Sequence, residues 1–216
     1  MNRRQWFRFA AFSSFAGRRL LRGAQPPQDA AAKQGLTVGD YQPKSMLHVR
    51  ETKVPRARYP VIDWHTHITG GGTPGKKIRF GLTPETCLEV MDRKNIRTMI
   101  DLTGGYGDAL QDAILQLQKP HPERFLVFTE PAYDRASDPG YAKLQGDLIA
   151  DAHNAGAHGL KVLKRLGLVL RENGTGPLVR IDDKRFDPMW DAAGSLGMPV
   201  AIHTSDPEAF FLPIDR

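Results

Sequence analysis

Apolar and polar positions along this chain settle into a regular pattern only from residue 59 onward. Tyr59–Trp64 is a short apolar run behind Pro60 and predicts a first strand. A helix follows, with Thr83 as its cap, Pro84 at its first position, Glu85 in its first turn, and apolar Cys87, Leu88 and Met91 at helical spacing. Arg97–Leu102 predicts the second strand and Ala109–Gln118 the second helix. Arg124–Thr129 is the third strand, followed by a helix that opens at Asp138-Pro139 and closes near Gly156. Gly159–Lys164 is the fourth strand, with a helix from Asp187-Pro188 to Gly197, and Met198–His203 is the fifth strand.

Five strand–helix alternations predict an α/β fold with a parallel sheet and right-handed crossovers. The period of about 35 residues suits an eight-unit TIM-type (β/α)8 barrel of roughly 250 residues, of which about five units fit here. The chain is therefore expected to be an incomplete barrel over 59–216, C-terminally truncated, with an open edge that invites self-association. A doubly wound open sheet is the structural alternative, but no Gly-rich dinucleotide turn follows the first strand. The run Gly70–Lys76 approximates a phosphate loop, yet Lys77 stands where that loop needs Ser or Thr, so a loop at the barrel mouth is expected.

Charge is unevenly placed. The net charge is +6, but residues 1–58 carry 12 Lys/Arg against 3 Asp/Glu and residues 59–216 carry 18 against 21. The basic balance thus belongs to the N-terminal part, and nucleic acid is not the expected partner of the folded part. No run of about 18 apolar residues is present, so no membrane span is expected. Residues 25–58 read as a linker. The segment Asn2-Arg3-Arg4-Gln5-Trp6-Phe7-Arg8 resembles a twin-arginine export signal within residues 1–24, which implies a periplasmic or extracellular destination. A basic tail on a cytoplasmic protein is the alternative. The one cysteine, Cys87, makes neither a disulfide nor a thiolate metal site, and is expected to be a small core residue.

Candidate chemistry gathers at the strand ends. His65 and His67 are two apart at the end of the first strand, so their imidazoles share a face and can share one ion. Unbroken alternation puts Asp63 on that same face, where it would orient a ligand. His203 ends the fifth strand, ahead of Thr204 and Asp206. Lys161 lies inside the fourth strand, costly there unless paired, modified or neutralised; Lys164 points the other way. Asn173-Gly174 between apolar runs predicts a hairpin that carries Arg171 and Arg180 toward an acidic substrate or simply into solvent.

Residues 60–68, the strand Gly159-Leu160-Lys161-Val162 and Pro199-Val200-Ala201-Ile202-His203 resemble successive landmarks of the amidohydrolase superfamily. The likeness is to its amidohydrolase-related branch, which includes carboxymuconate-semialdehyde decarboxylase-like enzymes. The resemblance implies a divalent metal, usually zinc, one ion or two, held by His65, His67 and His203. It implies that Lys161 bridges two ions when carboxylated; Lys161 and Asp63 are the expected catalytic groups, and Arg171, Arg180 and Asp206 the expected contacts of a small-molecule substrate. The family's sixth-strand histidine and eighth-strand aspartate have no counterpart here. The implied reaction is metal-assisted hydrolysis of a C–N, ester or lactone bond, with decarboxylation or a non-catalytic metal-binding fragment as rival readings.

Overall fold

The computed structural model describes residues 50–70, 78–204 and 206–207; the segment expected to be an export signal (1–24) and most of the expected linker (25–58), like residues 71–77, lie outside them. The chain divides between Glu51 and Thr52, and the second unit carries the fold.

That unit is a five-stranded, all-parallel sheet curled into a half-barrel, with strand order β1-β2-β3-β4-β5. Strand β1 is Val61–Thr66, β2 Ile96–Asp101, β3 Phe125–Thr129, β4 Gly159–Val162 and β5 Val200–Ile202. The order never reverses, as a doubly wound sheet would require. Helix α1 is Pro84–Lys94, α2 Asp108–Ala113 (continued by a wider turn over Ile114–Gln118), α3 Tyr141–Ala155, α4 the single kinked turn Arg165–Leu168, and α5 Asp187–Ser195.

The punctuation in the sequence acts where it stands. Thr83 Oγ1 accepts the Thr86 N–H at 3.3 Å to open α1, and Asn95 closes it in the left-handed region at φ 63°. Gly156 ends α3 at φ 104° in the same way. The start of α3 falls later than expected. Gly140 takes φ 76°, and Asp138-Pro139 forms the preceding turn, tied by the Arg135–Asp138 ion pair at 2.6 Å. The predicted fourth strand runs two residues too long, because Lys164 is already in helical backbone (φ −59°, ψ −8°). The Asn173-Gly174 hairpin forms: both residues have positive φ, and Arg171 and Leu178 bridge antiparallel.

Two layers divide the apolar residues. On the outer face, Phe125 and Val127 of β3 and Leu160 and Val162 of β4 pack with Met91 of α1, Leu117 after α2, Ile149 of α3 and Met189 of α5. Cys87 lies in that layer as a buried free thiol. The concave face holds a smaller cluster, Ile100, Leu102 and Phe128, flanked by Leu126 and Ala201. All four long helix segments thus cover one face, and the other is left to the strands' own side chains. On the outermost strands among the described residues, Ile62 and Trp64 of β1 and Ile202 of β5 are exposed. No helix among the described residues is long and apolar enough to cross a membrane.

Candidate functional site

A slip of register decides where the β1 side chains face. Asp63 pairs with Met99 and Thr66 with Asp101, so three steps on β1 match two on β2. This is the geometry of a bulge, which adds one residue and re-aims those beyond it. Asp63 and Thr66 therefore share the face of Met99, which packs on the helix-side core. His65 and His67, flanking Thr66, turn to the concave face. Trp64 reaches that face too, meeting Phe128 edge-on at 5.6 Å. The expectation that Asp63 shares a face with the histidines is thus corrected: it lies on the opposite face, where Oδ1 is 3.3 Å from the His65 backbone N–H.

The two imidazoles are neighbours, with ring centroids 5.1 Å apart and planes at 68°. Burial, then the positive charges of His65 and Lys161, lower the His67 pKa against the opposing pull of Asp101. His67 is accordingly held in its neutral, metal-ligating form.

Lys161 answers the question that alternation left open. Its neighbours Leu160 and Val162 face the helices, so Lys161 faces the concave side, and it is only 2% exposed. Lys164 is exposed and lies 3.3 Å from Asp206. Burial lowers the Lys161 pKa, and Glu130 counters by raising it.

His203 follows β5 and donates its backbone N–H to Val162 O at 3.0 Å. Its Nε2 lies 3.0 Å from Asp206 Oδ1. Burial alone lifts the Asp206 pKa, but hydrogen bonds from Lys164 and His203 outweigh it and hold the carboxyl below its ordinary range. These three residues line a cavity of about 330 Å³ with Leu166, Leu168 and Thr204. The structure therefore forms two groupings: His65 with His67, and His203 with Asp206 and Lys164. Among the described residues no set of three or more His, Cys, Asp or Glu side chains is gathered closely enough to hold a metal ion. Arg171 and Arg180 join neither grouping. Arg171 donates to Gly176 O at 3.1 Å, and Arg180 forks onto Asp182 at 2.7 and 2.8 Å.

Two acidic residues that the sequence reading passed over stand at the same strand ends. Asp101 closes β2 and is fully buried. Its carboxylate accepts the backbone N–H groups of Ile68 (2.9 Å) and Thr69 (3.3 Å) and the Thr69 hydroxyl (2.5 Å), with Thr103 Oγ1 at 3.1 Å. It thereby clamps the two residues that follow His67. Burial raises its pKa in spite of those bonds. Glu130, just past β3, is 9% exposed; burial first, then the Asp101 charge, push its pKa up to about 7 against Gly105, Arg165 and Lys161. The available signal was position: both are carboxylates at the C-terminal end of a parallel strand, the end that bears active sites in α/β folds.

No protein-family model, curated protein or solved structure matches this chain.

Proposed function

We propose that this chain is the metal-binding part of an amidohydrolase-related hydrolase, its five strands being the first five units of a TIM-type (β/α)8 barrel. The observation that carries the reading is the His65–His67 pair, two adjacent imidazoles on the concave face at the C-terminal end of β1. The donor set suits zinc, which accepts imidazole nitrogen at about 2.0–2.1 Å, and fills two of its positions. His203 is the third candidate donor, and its Asp206 contact is the kind of carboxylate support that fixes a ligating ring. Bound zinc supplies a water acidified toward about 7 and a Lewis acid for a substrate carbonyl.

The chain's own residues divide the remaining work. Asp101 fixes the backbone after His67 and so the direction of the histidine pair. Trp64, Phe128 and Ile100 give the concave face an apolar floor that excludes water from a bound substrate. Glu130, with its pKa pushed up to about 7, can hold or release a proton at neutral pH.

Zinc titration of chelator-stripped protein by calorimetry tests the reading. The protein is expected to take up zinc, and His65→Ala/His67→Ala to lose at least about tenfold in affinity. Equal zinc binding by that double variant, or none by the parent, sinks it.

A further inference from the structure

We propose that the N-terminal end of the strands carries a phosphate-binding site, in which Arg56, Arg97 and Arg124 receive a phosphomonoester group. The site stands apart from the histidines. Arg97 lies near the start of β2 and Asp101 at its end, so the two ends of that strand are roughly 13 Å apart.

Three separate stretches of chain bring the guanidiniums together. Arg56 comes from the segment entering β1, Arg97 from the start of β2 and Arg124 from the residue before β3. All three line one cavity of about 450 Å³, and Asp92 of α1 is the one carboxylate among its lining residues. Two other cavities are balanced in this respect: Lys119 stands with Asp151 in one, and Lys164 with Asp206 in the other. At the N-terminal end of the strands three positive charges face one negative.

Two of the arginines are held in place by the protein. Arg124 donates from Nη2 to Asp92 Oδ1 at 2.7 Å and from Nε to Arg97 O at 3.1 Å. Arg56 donates from Nη1 to Asp92 O and from Nη2 to Asn95 Oδ1 at 3.3 Å. A guanidinium has five N–H groups, so both keep donors for a ligand while their positions are set. Arg97 differs from them. It is exposed, and among the described residues its side chain makes neither a hydrogen bond nor an ion pair. Holding the fold together therefore accounts for Arg56 and Arg124 but not for Arg97.

The charge left over selects the ligand. Asp92 offsets one guanidinium, and the two that remain match a phosphate dianion, whose oxygens fit the guanidinium fork. A monocarboxylate would leave one of them unanswered. Lys94 and Arg58 belong to the same end but are engaged elsewhere, with Pro55 O at 3.0 Å and the Tyr59 ring at 5.3 Å. The cavity falls within the roughly 300–1,000 Å³ range of small-molecule sites, which leaves space for an organic body on the phosphate.

Inorganic phosphate is the probe, with acetate as the monoanion for comparison. Binding is followed by calorimetry on chelator-treated protein at neutral pH, with ionic strength held constant by chloride. Phosphate is expected to bind more tightly than acetate. Arg97→Gln removes no side-chain contact within the protein and should keep the parent's Tm, yet bind phosphate at least about tenfold more weakly. Lys143→Gln removes a positive charge from the exposed side of α3 and is expected to stay within about twofold of the parent. Phosphate binding unchanged in Arg97→Gln, an equal loss in Lys143→Gln, or no phosphate binding by the parent overturns the proposal. Sedimentation with phosphatidylcholine vesicles containing phosphatidic acid identifies the source of the phosphate. Pelleting that Arg97→Gln abolishes assigns it to a lipid headgroup, and phosphate binding without pelleting assigns it to a soluble ester. Zinc uptake by Arg97→Gln should equal the parent's, so failure of this site and failure of the metal reading are told apart.

Discussion

Replacing Asp101 by Ala removes the clamp between the end of β2 and the chain beyond His67, and the structure allows its cost to be worked out. Two backbone N–H groups, of Ile68 and Thr69, lose a buried acceptor. Each orphaned donor costs about 1–3 kcal/mol, or about 4 kcal/mol for the two. Against this, the variant no longer holds a fully buried carboxyl whose ionised form burial penalises, which returns about 1 kcal/mol. The net loss is about 3 kcal/mol, a fall in Tm of roughly 10 °C for a domain of this size. Asp101→Asn keeps one oxygen in place and should lose only about 1 kcal/mol. Chemical denaturation measures both variants, and hydrogen exchange at the Ile68 and Thr69 amides locates the damage. If Asp101→Ala unfolds within about 0.5 kcal/mol of the parent, or those two amides stay as protected as before, the clamp is not what orders this strand end.

Gly159→Ala should cost about 3 kcal/mol, because an added Cβ would sit 2.4 Å from Phe128 Cζ and 2.8 Å from Pro199 O, one of them backbone that cannot yield; a Tm unchanged in the variant contradicts that packing. The Glu130 pKa is raised from 4.5 to about 7, so its share of stability is present below about 4.5 and is lost as pH rises to about 7. At about 1.4 kcal/mol per pH unit that share is about 3 kcal/mol, and Glu130→Gln should flatten the parent's decline when urea unfolding is compared across pH 4.5–7.5. Thr83→Ala removes the side-chain acceptor for the Thr86 N–H and should cost about 1 kcal/mol by thermal unfolding, with the other helices unaffected.

Much of the fold was legible because its signals are local. The Thr83-Pro84 opening of α1 and the Asp187-Pro188 opening of α5 are properties of a few consecutive residues, and each acts as its chemistry requires. Apolar periodicity located all five strands, with no end misplaced by more than two residues. The Asn173-Gly174 turn was readable for the same reason. The buried state of Glu130 was not, since one Glu before Pro131 reads as loop. Burial raises its pKa first, and the charges that then act on it are those of Asp101 at the end of β2 and of Arg165 and Lys161, all far off in sequence. Lys161 lies between these cases: its apolar neighbours Leu160 and Val162 were visible, but that they face the helices depends on Met189 and Ala193 of a helix still to come.

The β1 histidines show why a strand motif is not yet a site. Period-two alternation correctly groups His65 with His67, because both lie on the same side of the slip. It wrongly adds Asp63, which lies before the slip, and nothing in Asp63-Trp64-His65 announces an extra residue. Register is a property of two strands, fixed by where Met99 and Asp101 fall on β2. Had the strand run without that residue, His65 and His67 would keep the face of Asp63 and point into the helix-side layer among Cys87 and Met91. With it, they face Lys161 and the apolar floor around Phe128, and Asp101, paired with Thr66, pins the chain directly beyond them. The bulge therefore couples the packing of β1 on β2 to the direction of the only paired imidazoles among the described residues.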